Sequence, residues 1–458
     1  MTPVSRSDTG HPQGGTGGWP ELAESRPGVP VVRYAETPRS GRAQGDSGLG
    51  DIRRPIRCLR VLLVVLTVFQ RFVIPGTPVS VAVPAVCAIL LVLGLQGNVV
   101  LDRARSILYL VAVTACGAAC VIFTVSTGLS FSLTSLGLLV VVYTPYCFSM
   151  SPRARRLFPD VLEYFQKIMV IIAPVCLAQF AAQFVGWQFR DLLDFLPENM
   201  LAHNFNTSYT LYYGSSIYKS NGIIFLEPSF ASQLLALAII IQLVLGGRRG
   251  RILLFVAALL TTFSGTGMIL LVTGLLVLAV RRGGRWLWRM VVTVALAAIV
   301  LGGLVGGTEA AGRFLSRATE LSEQGSSGNS RFVAPYEVVF GALSTDPAAM
   351  LVGRGAGSLT SDLEYFSATD IAASYPALPK LLGEYGMPAT MTFLMFLLTV
   401  FFLRVRSITL AVMVCMLFFF LSGALLEPQI VYLSWLLTAL FAGNLAVGAN
   451  RHTSDALP

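Results

Sequence analysis

The sequence GIIFLEPSFASQLLALAIIIQLVLG, residues 222–246, has the length and apolarity of a helix that crosses a membrane. Near its start lie Glu227 and Pro228, a carboxylate and a helix breaker, which are costly inside lipid. At helical rise Glu227 would lie roughly 7 Å into the span, near its rim. An ionisable residue there indicates a functional site. The structural alternative is an ion pair with Arg331 or Lys219.

The whole chain has the same apolar character. Of its 458 residues, 54% are hydrophobic and 12% are charged, and its mean hydropathy is +0.70. In soluble proteins roughly a quarter of all residues are charged. We therefore predict an all-α polytopic membrane protein with about 12 transmembrane helices.

The predicted spans are apolar runs bounded by charged or turn-forming residues. They are residues 60–75, 79–96, 105–125, 131–150, 168–187, 222–246, 252–264, 266–280, 286–306, 386–403, 407–423 and 429–447. The basic clusters between them all fall on one side if both termini are cytoplasmic. Residues 252–280 have basic clusters at both ends, so we predict two short helices that meet at residues 264–267.

These spans divide the chain into five regions. We predict a disordered cytoplasmic tail at 1–56, spans at 57–306 with a periplasmic loop at 188–221, a large helical periplasmic loop at 307–385, spans at 386–447 and a cytoplasmic tail at 448–458. The first tail is rich in Gly, Pro, Ser, Arg and Asp and shows no periodicity. The alternative for this tail is a docking segment for a cytoplasmic partner.

The charge and the cysteines exclude several classes of function. The net charge is +9, which basic cytoplasmic loops explain without a nucleic-acid partner. All seven cysteines lie in or beside apolar runs, which argues against a disulfide framework and a cysteine metal site. No metal-ligand spacing is present, and we expect neither a metal nor a cofactor.

Two arginines of the large loop are candidates for binding an anion. Arg331 begins RFVAPYEVVFGAL, whose apolar residues recur at helical spacing and are expected to lie against the membrane. Arg354 lies in GRGAGS, where Gly355 and its neighbours would let the backbone approach a ligand closely. An arginine in such a turn suits a phosphate. The alternative is a simple glycine turn.

The loop at 188–221 is rich in aromatic residues interleaved with Asn and Ser. Flat aromatic faces beside amide and hydroxyl groups suit sugar rings. Tyr212, Tyr213 and His203 lie near the centre of the loop and are candidate sugar-binding residues. The alternative for the aromatic residues is a belt at the membrane interface.

Four segments together resemble the bacterial O-antigen polymerase and ligase superfamily, which contains the Wzy-like polysaccharide polymerases. They are KSNGIIFLEPSFAS, TFSGTGMILL, NSRFVAPYEVVFGAL followed by MLVGRGAGS, and LPKLLGEYGMPATMTFL. The resemblance covers residues 57–447. It departs from the family where Lys219 replaces an expected arginine. The segment before Glu384 also lacks the histidine usual in ligases, which favours a polymerase.

The resemblance implies a GT-C-like glycosyltransferase in the bacterial inner membrane. It would polymerise oligosaccharide repeat units linked to undecaprenyl pyrophosphate at the outer face. The implied partners are this lipid-linked glycan, membrane lipid, a chain-length regulator and a flippase, with no nucleic acid. The candidate site residues are Lys219, Arg331, Arg354 and Gly355 for the diphosphate, and Glu227, Glu384 or His203 for the acceptor proton. Since no Asp-x-Asp pair is present, we predict a metal-independent, inverting displacement.

Two other functions fit a membrane protein of this kind. A ligase-type enzyme would transfer the glycan to another acceptor. A lipid-linked oligosaccharide flippase or other transporter would place charged residues along a path through several spans. This chain concentrates its charge at one face, which favours chemistry at the outer face.

Overall fold

The structure is a computed structural model that describes residues 46–443 apart from 78, 203–204, 212–214, 287, 289–291, 293–328 and 362–374. The predictions for the first 45 residues, for the tail at 448–458 and for most of the span at 286–306 lie outside these residues. By its internal contacts the chain divides into residues 1–47 and residues 48–458. The description below concerns the second unit.

The described residues are mostly helical. The α-helices are α1 (Asp46–Val68), α2 (Ala82–Leu95), α3 (Arg103–Thr127), α4 (Leu133–Tyr143), α5 (Phe158–Ala181), α6 (Pro228–Val244), α7 (Arg249–Thr261), α8 (Gly265–Arg282), α9 (Asn329–Phe332), α10 (Ala334–Thr345), α11 (Pro347–Val352), α12 (Ser358–Ser361), α13 (Ala377–Phe402), α14 (Ile408–Met416) and α15 (Pro428–Leu437). A π-helical turn, Leu417–Leu421, continues α14. Strands β1 (Val99–Leu101) and β2 (Phe148–Met150) pair antiparallel.

Among the described residues, four helical segments are long and apolar enough to cross a membrane. They are Arg103–Thr127, Ala154–Val185, Gly265–Arg282 and Ala377–Phe402. Shorter apolar helices include Pro228–Val244 and Pro428–Leu437. The helical membrane-protein class is therefore supported, while the count of about 12 spans stays a prediction. Helix α1 begins at Asp46, so residues 46–56, which we assigned to the tail, are helical.

Helix α6 lies at the centre of the helical core. Nearly every residue from Pro228 to Val244 is buried, and a helix that is apolar on all sides belongs in an interior. Hydrogen bonds join it to its neighbours: Gln233 of α6 donates to the Leu421 carbonyl at 3.1 Å, and the Ala238 carbonyl of α6 accepts from Gln166 of α5 at 2.9 Å.

The predicted break within residues 252–280 is confirmed, since α7 ends at Thr261 and α8 begins at Gly265. Helix α7 returns beside the start of α6, where the Ser220 N–H donates to the Thr261 carbonyl at 3.1 Å. Helix α8 then runs parallel to α6, and Arg282 donates to the Leu243 carbonyl at 3.0 Å. A Cβ at Gly267 would lie 2.6 Å from Ser232 backbone atoms, so this glycine permits the close contact of the two helices.

Helices α13 and α15 both end among arginines. The Arg105 guanidinium, which is 0% exposed, donates to the Ala439 carbonyl at 2.7 Å and to the Gly443 carbonyl at 3.2 Å. The Gly443 N–H donates to the Arg404 carbonyl at 3.0 Å. We call the group Arg105, Arg155, Arg404 and Arg406 the arginine end, because the charges of the last three also interact. Three of the basic clusters, at 102–105, 151–156 and 404–406, therefore lie together in the structure, while the placement of all the clusters on the cytoplasmic side stays a prediction.

Candidate functional site

Three glutamates and one lysine are linked by their charges at the other end of α13 and α15. Glu227 precedes α6, Glu427 precedes α15, and Glu384 lies on α13. The Lys380 ammonium lies 3.9 Å from Glu384 Oε1, and the charges of Lys380 and Glu227 both act on Glu427. We call these four residues the carboxylate end. The structure thus brings two of the predicted acids, Glu227 and Glu384, into one region.

Glu227 is held at the entry to α6 and not within a span. The helix begins at Pro228, a first position where the missing N–H of proline costs nothing. Our interpretation of Pro228 as a helix breaker inside the span 222–246 is therefore wrong. Glu227 is 9% exposed, and the Ser229 hydroxyl donates to Glu227 Oε2 at 2.9 Å. Ser232 donates in turn to the Ser229 carbonyl at 2.7 Å.

One amide of α5 fixes the chain that leads to Glu227. The Gln179 Oε1 atom accepts hydrogen bonds from the Ser220 hydroxyl at 2.9 Å and from the N–H groups of Asn221 at 3.0 Å and Gly222 at 2.9 Å. Gly222 has a φ of 63°, and a Cβ there would lie 2.9 Å from Cys176 Sγ. Glycine is therefore required at this turn, and the path of the chain into Glu227 is well defined.

Glu427 is a residue that our sequence analysis missed. The tripeptide Leu-Glu-Pro at 226–228 recurs at 426–428, and this repeat is the signal that could have found it. Both prolines begin a helix. The two regions are tied together, because the Ser422 hydroxyl donates to Gln233 Oε1 of α6 at 3.0 Å.

The pKa of Glu427 is shifted toward neutrality. Its partly buried carboxyl lies in the turn before α15, outside the apolar helices. Desolvation by burial raises the pKa of Glu427 to about 7, with Lys380 opposing the rise and Glu227 adding to it. A group with this pKa is roughly half protonated at neutral pH, which suits proton transfer.

Glu384 is buried under the glycine turn of residues 353–357. It is 0% exposed, and its backbone carbonyl accepts from the Gly355 N–H at 3.0 Å. The Arg354 N–H likewise donates to the Gly383 carbonyl at 2.9 Å. A Cβ at Gly353 would overlap the Glu384 backbone. These glycines therefore permit close packing on α13, and these two N–H groups donate to protein carbonyls.

The two loop arginines lie in separate elements. Arg354 is partly buried, and its Nη2 lies 3.4 Å from the Ala342 carbonyl of α10. Arg331 lies on α9. The predicted apolar stripe is present on α10, where Val339 and Leu343 are buried in a cluster with Leu382 of α13. The amphipathic helix thus contacts protein on its buried face.

The aromatic loop is partly ordered by contacts among its own side chains. The Lys219 ammonium lies 5.6 Å from the centroid of the Tyr209 ring, a cation–π distance. Phe189 and Tyr218 stack with centroids 4.9 Å apart. The candidate sugar-binding residues His203, Tyr212 and Tyr213 lie outside the described residues.

An ion pair that the sequence did not reveal holds the start of this loop. Arg71 donates through Nη1 and Nη2 to the two carboxylate oxygens of Asp191, each at 2.6 Å. Nη1 of Arg71 also donates to the Ile223 carbonyl at 3.2 Å. Burial alone would raise the pKa of Asp191, but hydrogen bonds from Arg71 and the Leu193 N–H outweigh it and the pKa is lowered.

The comparison with known families places these residues in context. The family described as WcaD colanic acid polymerase matches residues 58–442, a range that includes the whole carboxylate end. No curated protein matches the chain. Because the family match covers most of the sequence, the chain belongs to the WcaD colanic acid polymerase family, a family of polysaccharide polymerases.

Proposed function

We propose that this protein is an integral-membrane glycosyltransferase that polymerises undecaprenyl-pyrophosphate-linked oligosaccharide repeat units at the outer face of the bacterial inner membrane. The family match and the apolar helices support a membrane polymerase. The observation that carries the proposal is Glu227. Its buried carboxylate is fixed at the start of a core helix, and its charge acts on Glu427, on which the charge of Lys380 also acts.

The reaction is a single displacement at the anomeric carbon. An acceptor hydroxyl oxygen attacks C1 of the donor sugar, and the bond from C1 to the diphosphate oxygen breaks with its electrons. Inversion at C1 follows. In this proposal Lys219, Arg331 and Arg354 offset the growing negative charge on the diphosphate, a role that fixed cations perform without a metal.

The acceptor proton passes to Glu227. Ser229 and the turn held by Gln179 fix the carboxylate, and a positioned base contributes roughly 100- to 10,000-fold to a rate. Glu384 is less suited, because it is fully buried and its ion-pair partner is Lys380. We assign to Glu384 the positioning of Lys380.

The first test is complementation of a polymerase-deletion strain with Glu227→Gln. We expect the polymer ladder on a gel to fall by roughly 100-fold while single repeat units still reach the surface lipid. The matched control is Glu163→Gln, because Glu163 is 56% exposed in a surface ion pair with Lys167 and its loss should leave the ladder intact.

Other outcomes separate the competing functions. Full polymer from Glu227→Gln at normal membrane levels would overturn the assigned base. Loss of even the single repeat units in the deletion strain would indicate a flippase. Accumulation of polymer that never reaches its final lipid would indicate a ligase.

A further inference from the structure

We propose that the arginine end binds the phosphate group of an anionic phospholipid, whose acyl chains lie against exposed aliphatic side chains of α3 and of the residue that follows α13. This site is separate from the carboxylate end and does not rest on the proposed polymerase reaction. Binding of the lipid would stabilise the folded protein in a membrane that contains anionic lipid.

The arginine end lies where three membrane-crossing segments meet. Of the helical segments that are long and apolar enough to cross a membrane, Arg103–Thr127 and Ala154–Val185 begin at this group, and Ala377–Phe402 ends two residues before Arg404. The ends of membrane-spanning helices lie at the depth of the lipid headgroups. The guanidinium groups are therefore placed beside the phosphates of the lipid.

The arginines converge on one glycine. The Gly443 carbonyl accepts from Arg105 Nη2 at 3.2 Å, and the Gly443 N–H donates to the Arg404 carbonyl at 3.0 Å. A Cβ at Gly443 would lie 3.3 Å from Arg404 Cδ and 3.9 Å from Arg155 Nη1. Arginines of three separate elements thus lie around a single residue, and the absence of a side chain there gives them room.

The structure around these arginines is fixed by hydrogen bonds. Arg155 Nε donates to the Met150 carbonyl of β2 at 2.9 Å, and the Met150 N–H donates to the Leu440 carbonyl at 2.7 Å. Strand β2 pairs with β1, which ends at the residue before Asp102. The group is therefore assembled before any ligand arrives, and cations held in this way lose little entropy when they bind an anion.

The charges within the group do not balance. The charges of Arg404 and Arg406 act on Arg155, and the charge of Arg155 acts in turn on Arg105. Within the described part of the chain, Asp102 is the one carboxylate whose charge acts on Arg105 and Arg155. One carboxylate among four guanidinium groups leaves a surplus of positive charge. Like charges repel more strongly in a partly buried region than in water, so a bound anion would stabilise the group.

A phosphodiester has the chemistry that these arginines recognise. A guanidinium presents paired N–H donors that match two oxygens of a phosphate, and it keeps its charge in partly dry surroundings. Arg404 is exposed, and Arg155 and Arg406 are partly exposed, so a headgroup at the membrane surface can reach them. Basic pockets between transmembrane helices are typical binding sites for anionic headgroups.

Exposed aliphatic side chains border the arginines. Leu403, which precedes Arg404, is 49% exposed, and Leu101, at the end of β1, is 61% exposed. On α3, Ile107 and Leu110 are exposed as well. A free phosphate would leave these side chains uncovered, whereas acyl chains would remove them from water. The combination of phosphate-binding groups and apolar surface therefore favours a phospholipid over a free anion or an acidic protein partner.

The first experiment measures the thermal unfolding of the full-length protein in detergent while phosphatidylglycerol is added. We expect the unfolding temperature to rise with the logarithm of the lipid concentration, because a ligand that binds only the folded state stabilises it. Phosphatidylcholine with the same acyl chains has no net charge and should produce a much smaller rise. High salt should weaken the effect of phosphatidylglycerol.

Inorganic phosphate, added alone, separates the two sources of the phosphate group. We expect it to leave the unfolding temperature nearly unchanged. A rise as large as that from phosphatidylglycerol would assign the site to a free anion and overturn the lipid. An equal rise from phosphatidylcholine would overturn the recognition of charge.

A double variant tests the assigned residues. Arg404→Gln combined with Arg406→Gln removes two charges of the group and leaves the buried hydrogen bonds of Arg105 in place. An arginine near an anionic membrane surface contributes roughly fivefold in affinity, so the half-saturating concentration of phosphatidylglycerol should rise roughly 30-fold. Lysine at both positions keeps the charge without the paired donors and should restore part of the affinity.

The matched control is Arg248→Gln combined with Arg249→Gln. These two arginines are exposed at the start of α7, and their loss removes the same charge from another basic cluster. The half-saturating lipid concentration should stay at the wild-type value. An equal loss of affinity in the control and in the double variant at 404 and 406 would show a general attraction of basic loops to the lipid and overturn the site.

The second experiment counts the bound lipid and does not depend on stability. Native mass spectrometry follows protein released from nanodiscs that contain phosphatidylglycerol and phosphatidylcholine. We expect phosphatidylglycerol to remain bound to the wild type and to the control, and to be lost from the double glutamine variant at 404 and 406. Retention of the lipid by that variant would overturn the assignment.

A wild type that responds neither to phosphatidylglycerol nor to inorganic phosphate would also overturn the proposal and would leave an acidic protein partner as the occupant. None of these outcomes bears on the proposed base, because Glu227 belongs to the carboxylate end.

Discussion

The arginine end and the carboxylate end show two uses of ionisable residues at the ends of apolar helices. At the arginine end, Arg105 donates to the carbonyls of Ala439 and Gly443 and lies beside Asp102. At the carboxylate end, Glu384 is as deeply buried, yet the ammonium of its partner Lys380 lies 3.9 Å from Oε1, beyond hydrogen-bond distance. Arginines that donate to terminal carbonyls, as Arg105 does, close helix ends. Charges of the second kind are unusual unless chemistry requires them.

The comparison predicts that substitutions at the two ends should lower different measured quantities. A substitution at the arginine end should reduce the amount of folded protein and leave the rate of each folded molecule unchanged. A substitution at the carboxylate end should reduce the rate with a small change in stability. The predictions below run from the largest expected effect to the smallest.

Arg105→Met should cause the largest loss of stability. It leaves Asp102 buried beside an uncharged side chain and removes the donors to two carbonyls, a change worth about 3–5 kcal/mol in the free energy of unfolding. Denaturation of the purified protein in detergent measures the loss. Unchanged stability would contradict the structural role of the arginine end. A lower rate per folded molecule would show that the arginine end also affects catalysis, against the comparison.

Gly386→Ala should cost somewhat less stability. Gly386 has a φ of 74° at the break within α13, where a Cβ would overlap the Leu351 backbone. The strain alone should lower the free energy of unfolding by roughly 1–3 kcal/mol. It should also move the part of α13 before Gly386, which carries Lys380 and Glu384. The unfolding temperature should fall, and the polymer ladder on a gel should weaken.

Gly341→Ala is the matched control for that variant. Gly341 lies inside α10, and a Cβ there would meet nothing within 4 Å. Alanine should stabilise this helix by roughly 0.5–1 kcal/mol. Equal effects of the two substitutions would show that the break at Gly386 has no special role.

Much of the helical order could be predicted from apolar runs and basic clusters. The break before Gly265 was found because basic residues flank both sides of residues 252–280. The start of α5 was missed, since the span predicted at 168–187 belongs to a helix that begins at Phe158. Its first turns carry Glu163 and Lys167, an exposed pair spaced four residues apart, and hydropathy alone does not register such turns.

The site could be predicted only in part. Glu227 and Glu384 stand out as acids within or beside apolar runs. Glu427 lies in the short connection between the spans predicted at 407–423 and 429–447, so hydropathy does not single it out. Its Leu-Glu-Pro tripeptide nevertheless repeats that of Glu227. Arg71 and Asp191 are 120 residues apart, and no local pattern links residues at such a distance.

The ion pair of Arg71 and Asp191 gives the smallest expected effect and separates two kinds of pH dependence. The lowered pKa of Asp191 means that its contribution to stability is fully present above the unfolded pKa of about 3.9 and is lost as the pH falls through the folded pKa. Activity near neutral pH should therefore depend on the carboxylate end and not on this pair.

Asp191→Asn tests this separation. It should lower the free energy of unfolding by about 1–3 kcal/mol and speed hydrogen exchange in residues 188–201. The neutral limb of the polymerisation profile should keep its position, since Asp191 is ionised throughout that range. A displaced neutral limb would mean that the loop, and not Glu427, sets the pH response. The comparison of the two ends would then have to include this loop among the catalytic elements.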